Sequence, residues 1–213
     1  MKVNLIYLRL NFRGIFVSNL KWLPNIVNIN RFQNINALVE YLYKIFENDF
    51  KSDFAAKFEN RKIEINNLPL HIRCEKLLDK GLNCNNKYKC SNCPYIDKED
   101  IFNHITCREL TGDIRTPGIF EEERAIRLPW IKPVIENCNK EHPSIKYYET
   151  IVKNEKRKCF WLEVEKFLVI ITEDKQKRLY LTSAYYLYNR KTSDRPRRDY
   201  KKYCKKMKKD ATN

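Results

Sequence analysis

The chain has 213 residues and a mass of 25.8 kDa, enough for one domain of good size or one domain with a small appendage. Its 42 Lys and Arg against 27 Asp and Glu give a formal charge of +15 and a pI near 9.4, which points to a polyanionic partner such as nucleic acid and says nothing about catalysis. No run of about eighteen apolar residues occurs, so no membrane-spanning helix is expected; Arg9 and Arg13 interrupt the apolar N-terminus where a signal peptide needs an unbroken stretch, so a cytoplasmic protein is expected.

Residues 1–33 form an extension without clear periodicity, in which Val3 to Leu10 suits a strand and Asn25 to Asn34 a loop. The first clear helix runs from Asn34 to Phe50, where Ile35, Leu38, Val39, Leu42, Ile45 and Phe46 make one apolar stripe. Phe58 to Ile65 reads as a short strand. Asn66 to Pro94 is a polar excursion carrying Cys74, Cys84, Cys90 and Cys93. Eight cysteines in a cytoplasmic chain are not expected as disulfides. A C-x-x-C pair joined by two further cysteines within twenty residues suits a closed, structural zinc site. The alternatives are His104 or Cys107 in place of Cys74 or Cys84, or four reduced thiols without metal.

Ile96 to Arg108 places apolar Ile101, Phe102 and Ile105 around His104, and Thr111 to Gly118 is a turn. Glu121 to Asn137 reads as a helix with a defect. Pro129 lacks an N–H and disfavours helical geometry at Leu128, so one helix should end near Arg127 and a second begin near Pro129. Arg124 and Arg127, three apart, should share a face and reach one phosphate.

The most regular stretch follows. Tyr147 to Val152, Cys159 to Leu162, Phe167 to Thr172 and Leu179 to Tyr188 are β-branched and aromatic runs joined by short polar breaks, which predicts a four-stranded antiparallel meander. On the last strand, alternation puts Leu179, Leu181, Ser183, Tyr185 and Leu187 toward the core. The opposite face then carries Tyr180, Thr182, Ala184, Tyr186 and Tyr188, groups able to bond phosphate and stack on bases. Equally, tyrosine is simply a good strand residue. From Arg190 to Lys209 there are eleven basic and two acidic residues, a local charge of +9 that reads as a basic arm or as a solvated terminus.

The order IFNHIT, ERAIRLPWIKPVIEN, FWLEVEKFLVIIT, YLTSAYYL and RPRRDYKKYCKK resembles a family of predicted phage and mobile-element nucleases of the barnase, EndoU, colicin and RelE-like group. NALVEYLYKIFENDF and FENRKIEIN also fit, so the likeness spans Ile35 to Lys206 and would define a domain over residues 34–206. It implies an α+β fold with N-terminal helices on a four-stranded antiparallel sheet. It also implies metal-independent cleavage of RNA by the ribose 2′-hydroxyl, with RNA and an antitoxin or inhibitor protein as partners and no cofactor beyond a structural zinc. By this resemblance His104 transfers a proton, Arg124 and Arg127 hold the phosphate and Thr182 bonds a phosphate oxygen. Tyr185, Tyr186, Arg190, Arg197 and Arg198 would contact substrate, although alternation sets Tyr185 on the opposite face from Thr182, so that either a bulge reconciles the two or Tyr185 is core. The alternatives are a basic nucleic-acid-binding protein without catalysis that carries a structural zinc site, and a protein-interaction module of a mobile element.

Overall fold

A computed structural model describes residues 20–66, 95, 97–108, 119–138, 142–188 and 190–212. Helix α1 (Ile35–Phe50) starts where Asn34 accepts a hydrogen bond from the Ala37 N–H at 2.9 Å, and it buries Leu38, Val39, Leu42, Phe46 and Phe50. Strands β1 (Lys57–Phe58) and β2 (Arg61–Glu64) form a hairpin, its two-residue turn made by Glu59 and Asn60 at positive φ. Helix α2 (Asp100–Thr106) and the two-residue strands β3 (Cys107–Arg108) and β4 (Ile119–Phe120) follow.

The Pro129 defect divides the next segment as its chemistry requires. Helix α3 (Glu122–Ala125) is short, a 3-10 turn spans Leu128–Trp130, and helix α4 (Ile131–Cys138) continues beyond it. Strands β5 (Ile145–Val152), β6 (Glu155–Leu162), β7 (Phe167–Glu173) and β8 (Leu179–Tyr186) pair consecutively and antiparallel. Helix α5 (Arg190–Asp210) closes the chain.

The protein is therefore α+β, but its sheet is larger than the expected four antiparallel strands. It has six, in the order β1-β2-β8-β7-β6-β5, and it is mixed because β2 runs parallel to β8. The Phe58 to Ile65 stretch became a hairpin docked on β8, a non-local pairing that local alternation does not encode. Helices α1 and α4 and the 3-10 turn cover one sheet face, with Phe46, Phe102, Trp130, Phe160 and Phe167 in the main core. Helix α5 lies on the other face, where Tyr200 meets Trp161 and Tyr148 edge-on.

Residues 20–33 belong to the same body. Trp130 Nε1 donates to the Pro24 carbonyl at 2.8 Å, and the Val27 N–H donates to the Ile126 carbonyl at 3.0 Å. The expected strand at Val3 to Leu10, the turn at Thr111 to Gly118 and all of Cys74, Cys84, Cys90 and Cys93 lie outside the described residues.

One end of the main core is closed by ions. Lys158, its side chain only 4% exposed, puts Nζ 2.9 Å from Glu149, 3.6 Å from Glu59 and 3.9 Å from Glu173, and Arg61 reaches Glu173 at 3.1 Å. Burial favours the neutral form of Glu149. Hydrogen bonds from Lys158, Tyr147 and Lys156 outweigh it and hold the carboxyl down to about 2, against an ordinary 4.5. A carboxyl depressed on folding stabilises fully above its unfolded value, and this support is lost as pH falls from about 4.5 through 2. Removing the lysine takes the buried cation away from the half-buried Glu149 and the buried Glu173. Lys158→Met should therefore cost about 3 kcal/mol in urea unfolding at neutral pH and lose most of that penalty near pH 2; a neutral-pH cost under about 1 kcal/mol would contradict this role.

Candidate functional site

Strand β8 is where the predicted residues meet, and an irregularity decides how. Ile171 pairs with Leu181 and Ile170 with Ser183, so Thr182 is an extra residue, a β-bulge. The expected alternation stops there. Leu179 and Leu181 face the main core before the bulge, and after it Ala184 takes that side. Ser183 sits opposite Ile170, and Tyr185 opposite Leu168, on the face that packs toward α5. The Thr182 hydroxyl lies 2.6 Å from that of Thr172, which alternates with Leu168 and Ile170 on this same face. The bulge therefore gathers Thr182, Ser183 and Tyr185 on one side, where strict alternation separates Thr182 from the other two.

His104 reaches this cluster from α2. Strand β2 pairs with Leu179 and Tyr180, so that among the described residues the later half of β8 has no strand on that side, and α2 and α3 pack along it. The half-buried imidazole has Nε2 3.2 Å from Ser183 Oγ, a pair in which the tautomer sets which group donates. Ile101, Phe102 and Ile105 anchor the helix in the core, so its polar turn projects toward the strand.

Arg124 comes from α3. Its Nη1 donates to the carbonyls of His104 at 2.9 Å and Cys107 at 2.7 Å, its Nε lies 3.4 Å from Glu121, and its guanidinium is 5.8 Å from the Tyr185 ring centre. It clamps the end of the helix that carries His104, and Nη2 remains for other contacts. Arg127 does not join it. Its side chain is 3% exposed, its Nη1 bonds Glu123 Oε2 at 2.7 Å, and its guanidinium stacks 4.2 Å from the Tyr186 ring centre and 5.3 Å from that of Trp130. Helix α3 ends at Ala125, and Arg127, which caps the 3-10 turn with a non-helical backbone (φ −97°, ψ 5°), meets a different set of partners from Arg124. Tyr186 is correspondingly a packing surface for Arg127, half-buried on the core side.

The remaining expected contacts distribute along α5. Arg190 opens the helix. Arg197 is tied to Glu163 in the β6–β7 turn at 2.9 Å, a carboxylate that Lys146 also bonds, so it tethers the helix to the sheet. Arg198 is exposed. The tail is thus a helix packed by Tyr200 and Tyr203, with its last two turns in solvent.

Three more residues join the site: Ser183, which alternation assigns to the core; Arg195 on α5, expected as part of the basic arm; and Arg157 on β6, for which the sequence suggests no role. Burial raises the Tyr185 phenol above its ordinary value, with a further push from Cys159, while the charges of Arg195, Arg124 and Arg157 oppose it. The charges of guanidiniums on three separate elements therefore act on one phenol, with Arg124 against its ring. Sheet register, not any local pattern, brings them there. Among the described residues no cluster of His, Cys, Asp or Glu has the form of a metal site.

No protein-family model, curated protein or solved structure matches this chain.

The clamp makes a prediction. Arg124→Ala leaves two carbonyl groups at the end of α2 without their charged donor and should destabilise the protein by about 2 kcal/mol in thermal or urea unfolding. A loss under about 0.5 kcal/mol would show that Arg124 does not order the helix.

Proposed function

We propose that this protein is a metal-independent endoribonuclease, the activity that its resemblance to phage nucleases implies. The observation that carries the reading is the contact of His104 with Ser183 beside Arg124, on a sheet face furnished with hydroxyls and guanidiniums. Cleavage of RNA by its own 2′-hydroxyl needs a base for that proton, an acid for the departing 5′-oxygen and positive charge for the pentavalent phosphorane. An imidazole half-open to solvent supplies the proton transfer. Arg124 offers charge through Nη2, and Thr182 offers a hydroxyl to a non-bridging oxygen. Arg127, closed in by Glu123, Tyr186 and Trp130, is assigned to holding the α3 turn in place and not to the phosphate.

A second reading, a nucleic-acid-binding protein without catalysis, draws support from Arg124 being half committed to backbone carbonyls and from the exposed basic side of α5. Both readings predict binding that weakens with salt.

Cleavage separates them. In EDTA, the intact protein should produce RNA ends bearing 2′,3′-cyclic phosphate, and His104→Ala should lower the rate by roughly 10²- to 10⁴-fold while leaving RNA binding in place. Salt-sensitive binding with no cleavage by the intact protein would overturn the nuclease reading in favour of the second.

A further inference from the structure

Beyond the His104 cluster, the same sheet face carries a second arrangement suited to an anion. Register aligns Thr150 with Arg157, and Arg157 with Thr172, across β5, β6 and β7. Thr172 in turn meets the bulged Thr182, hydroxyl to hydroxyl at 2.6 Å. All four side chains are half-buried, open enough to meet a ligand and fixed by the strands that bear them.

The hydrogen-bond inventory leaves capacity here. Two hydroxyls carry two protons, and one is used between Thr172 and Thr182. Among the described residues the other makes a long 3.3 Å contact, from Thr182 to the Tyr180 carbonyl. Arg157 bonds Glu155 through Nη2 at 3.2 Å, a pair whose carboxylate is 54% exposed and therefore weakly held. Its Nε is buried and has no hydrogen-bond partner among the described residues. A planar guanidinium with an unmet donor, beside hydroxyls in a fixed row, matches the tetrahedral oxygens of a phosphate. Arg195, 67% exposed on α5, adds positive charge, and Glu64, paired in register with Tyr180, bounds the row on the β2 side.

We propose that Arg157, Thr172 and Thr182 form a phosphate subsite that holds an RNA phosphodiester neighbouring the one at His104. The Arg157–Thr172 row lies two residues, about 7 Å along the strands, from the Cys159–Ile170–Ser183 row. An RNA strand crossing the face from β8 toward β6 meets His104 at one end and Arg157 at the other. This inference rests on the RNA reading above and adds where the chain of phosphates runs.

The test is equilibrium binding of a fluorescein-labelled oligouridylate to the full-length His104→Ala protein across a salt series, with Arg157→Gln, Arg157→Lys and Thr172→Val introduced into that background and circular dichroism checking the fold of each. Arg157→Gln should weaken binding about tenfold and reduce the salt slope by about 0.7, the value for one phosphate contact on a single strand. Arg157→Lys should restore the slope but not the full affinity, because charge returns without the planar fork, and Thr172→Val should weaken binding several-fold with the slope unchanged. If the parent binds and Arg157→Gln and Thr172→Val, both folded, match it in affinity and slope, the subsite is wrong while the nuclease reading stands. If the parent fails to bind RNA at any salt, both are wrong.

Discussion

One extra residue in a strand governs this site. Without the bulge at Thr182, the period of two would place Ser183 and Tyr185 in register with Leu181 and face all three toward the main core. A hydroxyl and a phenol would then be buried among Phe, Trp and Leu, and the opposite face would have neither beside His104. The bulge lets β8 begin as a core strand, through Leu179 and Leu181, and continue on the opposite face, where Ser183 is buried beside His104 and Tyr185 packs on the second apolar cluster. Ala184 keeps the core side filled with a small residue where the strand bends.

That single shift depends on a rigid frame around it. On one side β7 is held by β6 along its whole length, so the strand opposite the bulge cannot slide. On the other side the pairing with β2 stops at Tyr180, and along the rest of that edge α2 and α3 pack and deliver His104 and Arg124. Arg127 seals the back of the same strand by stacking on Tyr186 and Trp130. Two arginines from one short segment thus serve opposite faces of β8. The buried Lys158 with Glu149 and Glu173 closes the far end of the sheet, where charges are tolerated because each has a partner.

Much of this was legible from the chain itself. The stripe from Ile35 to Phe46 gave a helix, the four β-branched runs gave a meander, and Pro129 gave a broken helix, because each depends on residues a few positions apart. What failed depends on distant partners or on a break in periodicity. Alternation within LYLTSAYY does not mark a bulge, since threonine is a good strand residue in either register; only the resemblance, which asks Thr182 and Tyr185 to share a side, calls for one. Arg124 and Arg127 share a face only if the helix runs through both, and it ends between them. Arg157 lies in a run, Lys156 to Lys158, where every residue looks like solvated charge, yet alternation buries Lys158 and turns Arg157 to the opposite face. The β1–β2 hairpin joined the sheet by a parallel pairing that no local pattern announces.

The account stands on the half-buried His104 and Thr182, held beside the buried Ser183, forming one ligand-accessible site on the face away from the main core. Nuclear magnetic resonance of the full chain, with the histidine ring and backbone amides followed while an uncleavable 2′-deoxy oligonucleotide is added, tests this most directly. The account predicts that the His104 ring and the amides of Thr182 and Ser183 shift together and saturate at one ligand concentration. Shifts confined to Arg190–Asp210, with His104 and Ser183 unmoved, would contradict it.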